Sequence, residues 1–238
     1  MAILLLAGFI YLPVFLRSFL CPRHAHVLNV YFGVPGSGKT TFAAYLTRWA
    51  LHENALIRFC RRHGNPLTRL ILNSKYLKRR ISVYSNVPIT GAYRLDAKVD
   101  IGHYMIEDAK IIIDEAGIEH NNRNYKSFPQ EAIYFYKYHR HYRVSVDVFS
   151  QSYEDMDVTL RRLAQNFYVV RRSLVPGCIV AIRIRRRVGV DEQTKQIQDL
   201  YSMGLPVLDT KRIFSPPLWK LFNSYSRKEL PQKEWLTW

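Results

Sequence analysis

The segment GVPGSGKT, residues 33–40, constrains the fold of this chain more than any other feature of the sequence. It matches the phosphate-binding pattern G-x-x-x-x-G-K-[ST] at every fixed position. Residues 27–32 (VLNVYF) predict a short buried strand, and residues 41–50 (TFAAYLTRWA) predict a helix directly after the loop. A strand, a glycine-rich loop and a helix in this order are the context in which the pattern binds a nucleotide, so we interpret the segment as a nucleotide site.

The residue types in the loop fit the chemistry of a bound triphosphate. Glycines let the backbone curl so that successive N–H groups point at phosphate oxygens, and the helix that follows adds its positive dipole end. Lys39 is the candidate for contact with the β- and γ-phosphates, and the Thr40 hydroxyl is a candidate Mg²⁺ ligand. The predicted ATP-binding residues are Gly33, Pro35, Gly36, Ser37, Gly38, Lys39, Thr40 and Thr41.

A second predicted strand, residues 110–116 (KIIIDEA), ends in two acids. Beside a phosphate-binding loop, Asp114 is expected to hold Mg²⁺ and Glu115 to polarise the attacking water as general base. A following glutamate favours hydrolysis of ATP over transfer of phosphate to a small acceptor. Gln151, which follows the next predicted strand at residues 144–149, is expected to contact the attacking water or the γ-phosphate, because ligands bind at the carboxyl ends of such strands. A surface amide is the alternative for Gln151.

Strands and helices alternate along most of the chain, which predicts an α/β fold with a mostly parallel sheet covered by helices on both faces. One helix is expected from residue 39 to about 62, a basic helix over 67–80, a strand over 81–87 and a helix from Pro129 to about Tyr142. A short helix is expected over 155–165. Pro176-Gly177 predicts the turn of a β-hairpin formed by residues 167–174 and 178–188. Residues 191–238 lack clear periodicity and predict a partly irregular tail after an ATPase domain at 23–190.

The N-terminal residues 2–16 carry no charge, and the apolar character resumes after Arg17. A spanning helix needs ~20 apolar residues, a length that this run reaches if Arg17 extends to the interface. A signal peptide would need a basic start and a small-residue cleavage site, and a buried helix is the other alternative. We favour a membrane anchor over residues 1–22. The basic residues that follow predict that the rest of the chain lies in the cytoplasm, at the inner membrane of the host cell.

The charge is strongly positive, because 35 Lys and Arg stand against 19 Asp and Glu, for a net +16. This excess predicts a polyanionic partner. Basic clusters at residues 58–63, 75–80 and 183–187 favour sequence-independent DNA contact, and a solvated face against anionic lipid is the alternative.

Three widely spaced cysteines favour a reducing compartment over a disulfide framework. Arg140, Arg143, Arg161 and Arg162 are candidates for an arginine that stabilises the transition state, and a solvated or DNA-facing arginine is the alternative for each of them.

The order of these motifs resembles the zonular occludens toxin-like (Zot) family, which includes the assembly ATPases of filamentous phages. The resemblance covers residues 27–172, and its most specific element is Arg140-His141 shortly before the strand that leads to Gln151. It implies an inner-membrane ATPase of the FtsK–HerA class that acts as a homo-oligomeric ring, works with phage coat or assembly proteins, and drives extrusion of single-stranded-DNA virions. It also implies that Arg140 acts on the site of a neighbouring subunit.

One departure from the family is that the apolar segment precedes the ATPase motifs instead of following them, which puts contact with an outer-membrane channel in doubt. The leading hypothesis is a membrane-anchored ATPase for phage assembly. A DNA-packaging or conjugation-type translocase and a nucleotide-gated scaffold without turnover are the alternatives.

Overall fold

The computed structural model describes residues 26–53, 55–63, 80–97, 99–115, 130–190, 197–204 and 209–222. The helices are α1 (Lys39–Leu51), α2 (Ala55–His63), α3 (Gln130–Tyr138) and α4 (Val158–Leu163), followed by a 3-10 helix at Pro216–Leu221. The first strands are β1 (Leu28–Phe32), β2 (Ser82–Ser85), β3 (Tyr93–Arg94), β4 (Ala109–Ile113) and β5 (Ser145–Ser150). The later strands are β6 (Asn166–Arg172), β7 (Cys178–Val190), β8 (Ile197–Met203) and β9 (Thr210–Phe214).

All the described strands belong to one sheet, in the order β3-β2-β4-β5-β1-β6-β7-β8, with β9 also paired to β7. The strands from β3 to β6 are mutually parallel, whereas β7 runs antiparallel to β6, β8 and β9. The fold is therefore mixed α/β with a mostly parallel sheet, as the sequence predicts, and it fits the fold of phosphate-binding-loop NTPases. The predicted hairpin around Pro176-Gly177 is confirmed as the β6–β7 pair.

Two apolar layers cover the two faces of the sheet. On one face, α1 buries Phe42 and its neighbours against a stack of aromatic rings from three strands. In this stack the ring centroid of Tyr31 lies 4.8 Å from the ring centroids of Phe149 and Tyr168. On the other face, α3 packs Phe135 on the aliphatic side chains of the central strands. Because both faces are covered, β4 and β5 are buried along their whole length.

A chain of polar side chains crosses five strands within this sheet. The ammonium of Lys110 on β4 pairs with the carboxylate of Asp147 on β5, which is fully buried. Asp147 Oδ1 accepts a hydrogen bond from Asn29 on β1 at 2.7 Å, and Asn29 Oδ1 accepts one from Asn166 on β6 at 2.8 Å. Arg183 on β7 donates to Asn166 Oδ1 at 2.6 Å. Each side chain of this network thus has a hydrogen-bond or ion-pair partner, as burial requires.

Two expectations about the helices were wrong, and the described part of the predicted tail contains regular elements. The helix predicted from residue 39 to 62 is two helices, because the backbone becomes extended at His52, whose N–H caps Arg48 O at 3.0 Å. The helix predicted to reach Tyr142 ends at Tyr138, since residues 139–143 form a turn that closes with Arg143 at φ 57°. The tail contains β8, β9 and the 3-10 helix, because the long strand β7 offers backbone partners along its free edge.

Several predictions concern residues that the structure does not describe. These are the N-terminal apolar run and the basic helix over 67–80, of which residue 80 alone is described. The polar segment 121–128, which the sequence predicts to be a loop, also lies outside the described residues. Within the described ranges, no helix is both long enough and apolar enough to cross a membrane. The membrane anchor and the division into an anchor, an ATPase domain and a tail remain predictions.

Candidate functional site

The predicted phosphate-binding loop lies where β1 ends and α1 begins, at the carboxyl edge of the parallel strands. Gly33 has to lack a side chain because a Cβ atom there would lie 2.4 Å from the backbone oxygen of Val170 on β6. Gly38 has φ 96°, and a Cβ atom would lie 2.5 Å from Ile179 Cδ1 on β7. The glycine spacing of the motif is therefore set by the packing of the loop against the neighbouring strands as well as by the curl of the loop itself.

Lys39 is held inside the curve of this loop. Its ammonium donates hydrogen bonds to Gly33 O at 2.6 Å and to Val34 O at 3.2 Å, and the residue is only 8% exposed. Burial lowers the pKa of Lys39 from its ordinary value, and the carboxylates of Asp114 and Glu115 oppose this shift. The structure therefore brings the predicted phosphate-binding cation into the field of the two predicted acids.

The two predicted magnesium ligands, 74 residues apart in the chain, are in direct contact. Thr40 Oγ1 donates to Asp114 Oδ2 at 2.7 Å, and the Glu115 N–H donates to Asp114 Oδ1 at 3.0 Å. Asp114 is 4% exposed, and burial raises its pKa while the two hydrogen bonds oppose the shift. A hydroxyl and a carboxylate at one point are the hard oxygen donors that Mg²⁺ takes in combination with phosphate oxygens and water. The donor set therefore fits Mg²⁺, although no group of three or more His, Cys, Asp and Glu side chains forms a metal site among the described residues.

Asn86 fixes the backbone of Asp114, a role that the sequence analysis missed. Its Nδ2 donates to Asp114 O at 2.8 Å, and the Asp114 N–H donates to Asn86 Oδ1 at 2.8 Å. Asn86 directly follows β2, which is the neighbour of β4 in the sheet. A polar residue just after a strand could have indicated this role, but the predicted strand at 81–87 extended past Asn86 and so placed it inside the strand.

Glu115 and Gln151 face each other across the end of the sheet. Glu115 has a left-handed backbone with φ 53°, and Gln151 Nε2 donates to Glu115 Oε1 at 3.5 Å. This contact arises because β5, the strand before Gln151, lies between β1 and β4. The Glu115 carboxylate can accept a hydrogen bond from a water molecule, and the Gln151 amide can donate one to the same water. Together the two side chains can orient one water molecule.

These groups line one cavity of about 720 Å³. Its walls are the phosphate-binding loop with the start of α1, then Asp114, Glu115 and Gln151, and finally Arg172, Trp219 and Phe222. Arg172, at the end of β6, donates from Nε to Gly36 O at 2.9 Å. The last three residues were not predicted as site residues, since only the pairing of β6 with β1 and the packing of the 3-10 helix on α1 bring them to the cavity.

None of the four predicted arginines lines this cavity. Arg140 lies before β5, and a six-residue strand separates the two edges of the sheet by roughly 20 Å. Arg143 is bound by Asp108 through contacts of 2.6 and 2.7 Å, and Arg161 lies 4.9 Å from the Tyr153 ring. A role for Arg140 in the site of a neighbouring subunit stays a prediction.

Several solved structures match this chain at low sequence identity. The N-terminal domain of zonular occludens toxin from Neisseria meningitidis is 16% identical, with a TM-score of 0.49 over 84% of this chain and 100% of that domain. The genome packaging NTPase B204 of Sulfolobus turreted icosahedral virus 2, in complex with ATP-γ-S, is 11% identical, with a TM-score of 0.35 over 73% of this chain and 95% of that one. The RadB recombinase is 15% identical, with a TM-score of 0.34 over 79% of this chain and 91% of that one. A domain of the Zot family, which the motif order resembles, is thus among the structural matches.

No protein-family profile matches the chain, and no curated protein matches it by sequence.

Proposed function

We propose that this chain is a Mg²⁺-dependent ATPase, anchored by its N-terminal apolar run in the cytoplasmic membrane, that drives assembly and extrusion of a filamentous single-stranded-DNA phage. The observation that carries the ATPase activity is the 2.7 Å contact between Thr40 and Asp114, beside Lys39 and Glu115 in one cavity. The motif order shared with the Zot-like family and the apolar run at residues 2–16 support the more specific role.

The hydrolysis step follows from the charges at the cavity. Water attacks the γ-phosphorus while its proton passes toward the Glu115 carboxylate, and the bond to the β-phosphate oxygen breaks to give ADP and inorganic phosphate. Gln151, 3.5 Å from Glu115, orients the same water. Lys39 neutralises the charge that develops on the phosphate oxygens, and Mg²⁺ bound by Thr40 and Asp114 would supply further positive charge there.

The ATPase assignment is tested by replacing Lys39. We expect Lys39→Ala to lower the steady-state rate of ATP hydrolysis by about 100-fold or more, the usual cost of losing a group that stabilises transition-state charge. Lys137→Ala, on the exposed surface of α3, is the matched control and should retain the wild-type rate. Equal rates for Lys39→Ala and the wild type would overturn the assignment, and binding without turnover that is insensitive to Glu115→Ala would favour a scaffold.

The membrane and phage roles need separate tests. Full-length protein should stay with the membrane fraction after a carbonate wash, and Lys39→Ala introduced into the producing phage should abolish virion release. Recovery of the full-length protein in the soluble fraction would contradict the anchor. Normal virion yield from the Lys39→Ala phage would contradict the role in extrusion.

The positive charge of β6 and β7 favours a second candidate, a translocase that moves a DNA duplex. Arg171, Arg172, Arg183, Arg185 and Arg186 are exposed on these adjacent antiparallel strands. A cationic surface of this kind binds the phosphate backbone without reading its sequence. Stimulation of hydrolysis by double-stranded but not single-stranded DNA, lost between about 50 and 200 mM salt, would favour this candidate over phage extrusion.

A further inference from the structure

We propose that Trp219 is the stacking platform for the base of the bound nucleotide. This inference rests on the proposed nucleotide site. The cavity that holds Lys39, Thr40 and Asp114 is also lined by Trp219 and Phe222, which belong to the end of the described chain. Its volume of about 720 Å³ is in the range of sites that enclose a whole small-molecule ligand, and exceeds what a triphosphate group needs.

The chemistry of the walls divides this cavity between phosphate and base. The loop N–H groups, Lys39, Asp114 and Glu115 would serve the phosphates, a bound Mg²⁺ and the attacking water. The remaining described walls contribute Arg172, which is bonded to the loop at Gly36, and two aromatic rings. A nucleobase gains most from stacking on aromatic side chains, so the rings are the part of the wall that suits it.

The exposure of Trp219 has no explanation in the packing of the 3-10 helix. Leu218 anchors this helix and is 3% exposed, whereas the adjacent Trp219 is 59% exposed. Leu218 belongs to the apolar layer that includes Phe42 of α1. A tryptophan left open at the rim of a ligand cavity offers a large flat surface that a ligand can cover.

The 3-10 helix is fixed at both ends, so the ring is presented by a rigid element. At its start, the backbone N–H and the hydroxyl of Ser215 both donate to Gly177 O at 2.7 Å. At its end, Thr90 donates to Leu221 O from its N–H at 2.8 Å and from its hydroxyl at 3.0 Å. These contacts tie the platform to the β6–β7 turn and to the segment after β2, and a preorganised platform loses little entropy when a ligand binds.

The decisive measurement compares a nucleotide with its phosphate chain alone. We expect Trp219→Ala to weaken ATP binding by roughly 5- to 150-fold, the range for loss of one stacked ring, and to leave the affinity for inorganic tripolyphosphate within about twofold. GTP binding should weaken as much as ATP binding, because stacking does not distinguish the two purines. Trp219→Phe should restore most of the affinity for both nucleotides.

Isothermal titration with wild-type and variant full-length protein provides these affinities, and thermal melting confirms that each variant is folded. Wild-type ATP affinity in a folded Trp219→Ala protein would overturn the proposal. Equal losses for ATP and tripolyphosphate would also overturn it, since they would indicate a structural role for the ring. A separate titration of Lys39→Ala tests the nucleotide site itself. If this variant binds ATP and tripolyphosphate as tightly as the wild type, the nucleotide site is elsewhere, and this result differs from the two outcomes for Trp219→Ala.

Fluorescence gives a second readout that does not depend on affinity. ATP should quench the emission of the wild-type protein, and Trp219→Phe should remove most of the quenching while it still binds ATP. Trp49→Phe, in the second half of α1 and outside the cavity wall, is the matched control and should retain the quenching. Quenching of wild-type amplitude in Trp219→Phe would contradict stacking on this ring.

Discussion

Replacement of Asn86 tests whether Asp114, the proposed magnesium ligand, is positioned by its neighbour in the sheet. Asn86→Ala removes two hydrogen bonds of 2.8 Å, one to the N–H and one to the carbonyl oxygen of Asp114. Asp114 comes directly after β4, where its backbone groups no longer take part in the strand ladder. The variant should therefore keep the Asp114 carboxylate but let it move relative to Thr40, whose Oγ1 donates to Asp114 Oδ2 at 2.7 Å.

The expected size of the effect follows from these two bonds. An ordinary hydrogen bond contributes about 1 kcal/mol net, so their loss should cost about 2 kcal/mol of unfolding free energy. In a protein of this length, about 1 kcal/mol corresponds to 2–4 °C in Tm, which predicts a decrease of roughly 4–8 °C. Loss of a group that orients a metal ligand typically costs about 10- to 100-fold in metal affinity or activity. The Mg²⁺ concentration for half-maximal hydrolysis should rise by a factor in that range.

Asn166→Ala is a control of matched chemistry. Asn166 also donates one hydrogen bond, to Asn29 at 2.8 Å, and accepts one, from Arg183 at 2.6 Å, but it lies at the amino end of the parallel strands. Titration of Mg²⁺ against hydrolysis rate, with Tm measured on the same samples, should show lower stability for both variants and a changed Mg²⁺ requirement for Asn86→Ala alone. An unchanged Mg²⁺ requirement in Asn86→Ala would refute the reasoning, and so would an equal change in Asn166→Ala.

Three further predictions concern the loop, the core and the turn after α3. Gly38→Ala should weaken ATP binding by at least about tenfold, because a non-glycine residue at φ 96° costs about 1–3 kcal/mol and its Cβ atom would overlap Ile179; full affinity in a titration would contradict this. Lys110→Met should lower the free energy of unfolding by about 3–5 kcal/mol, since it leaves the buried Asp147 carboxylate without its cation, and Asp147→Asn added to it, which removes the charge and keeps an oxygen that can accept from Asn29, should recover most of the loss in a denaturant melt. His139 is buried, and burial lowers its pKa below the ordinary 6.5. The unfolded chain therefore binds the proton first, so the stability that this residue contributes is present above about pH 6.5 and is lost as the pH falls below it; His139→Leu should flatten the fall of Tm between about pH 7 and 5, and an unchanged slope would count against this assignment.

The sequence alone predicted the part of the site that depends on local structure. The loop at residues 33–40 has its glycine spacing, lysine and threonine in one continuous segment, and the strand before it and the helix after it were both confirmed. Asp114 and Gln151 were also located from the chain, because parallel strands bring their carboxyl ends to one edge of a sheet. Local pattern does not determine where a helix ends, so the break at His52 and the end of α3 at Tyr138 were missed.

The tertiary structure alone decided which other residues join these groups. Asn86, Arg172 and Trp219 are ordinary polar, basic and aromatic residues in the sequence, and none belongs to a motif. Arg172 and Trp219 reach the cavity because β6 pairs with β1 and the 3-10 helix packs on α1. Asn86 reaches the backbone of Asp114 because β2 pairs with β4. Contacts of this kind join segments far apart in the chain, and they follow from strand order and packing. The same strand order removes Arg140 from its own subunit's cavity, since a residue before a parallel strand lies at the opposite edge from a residue after it.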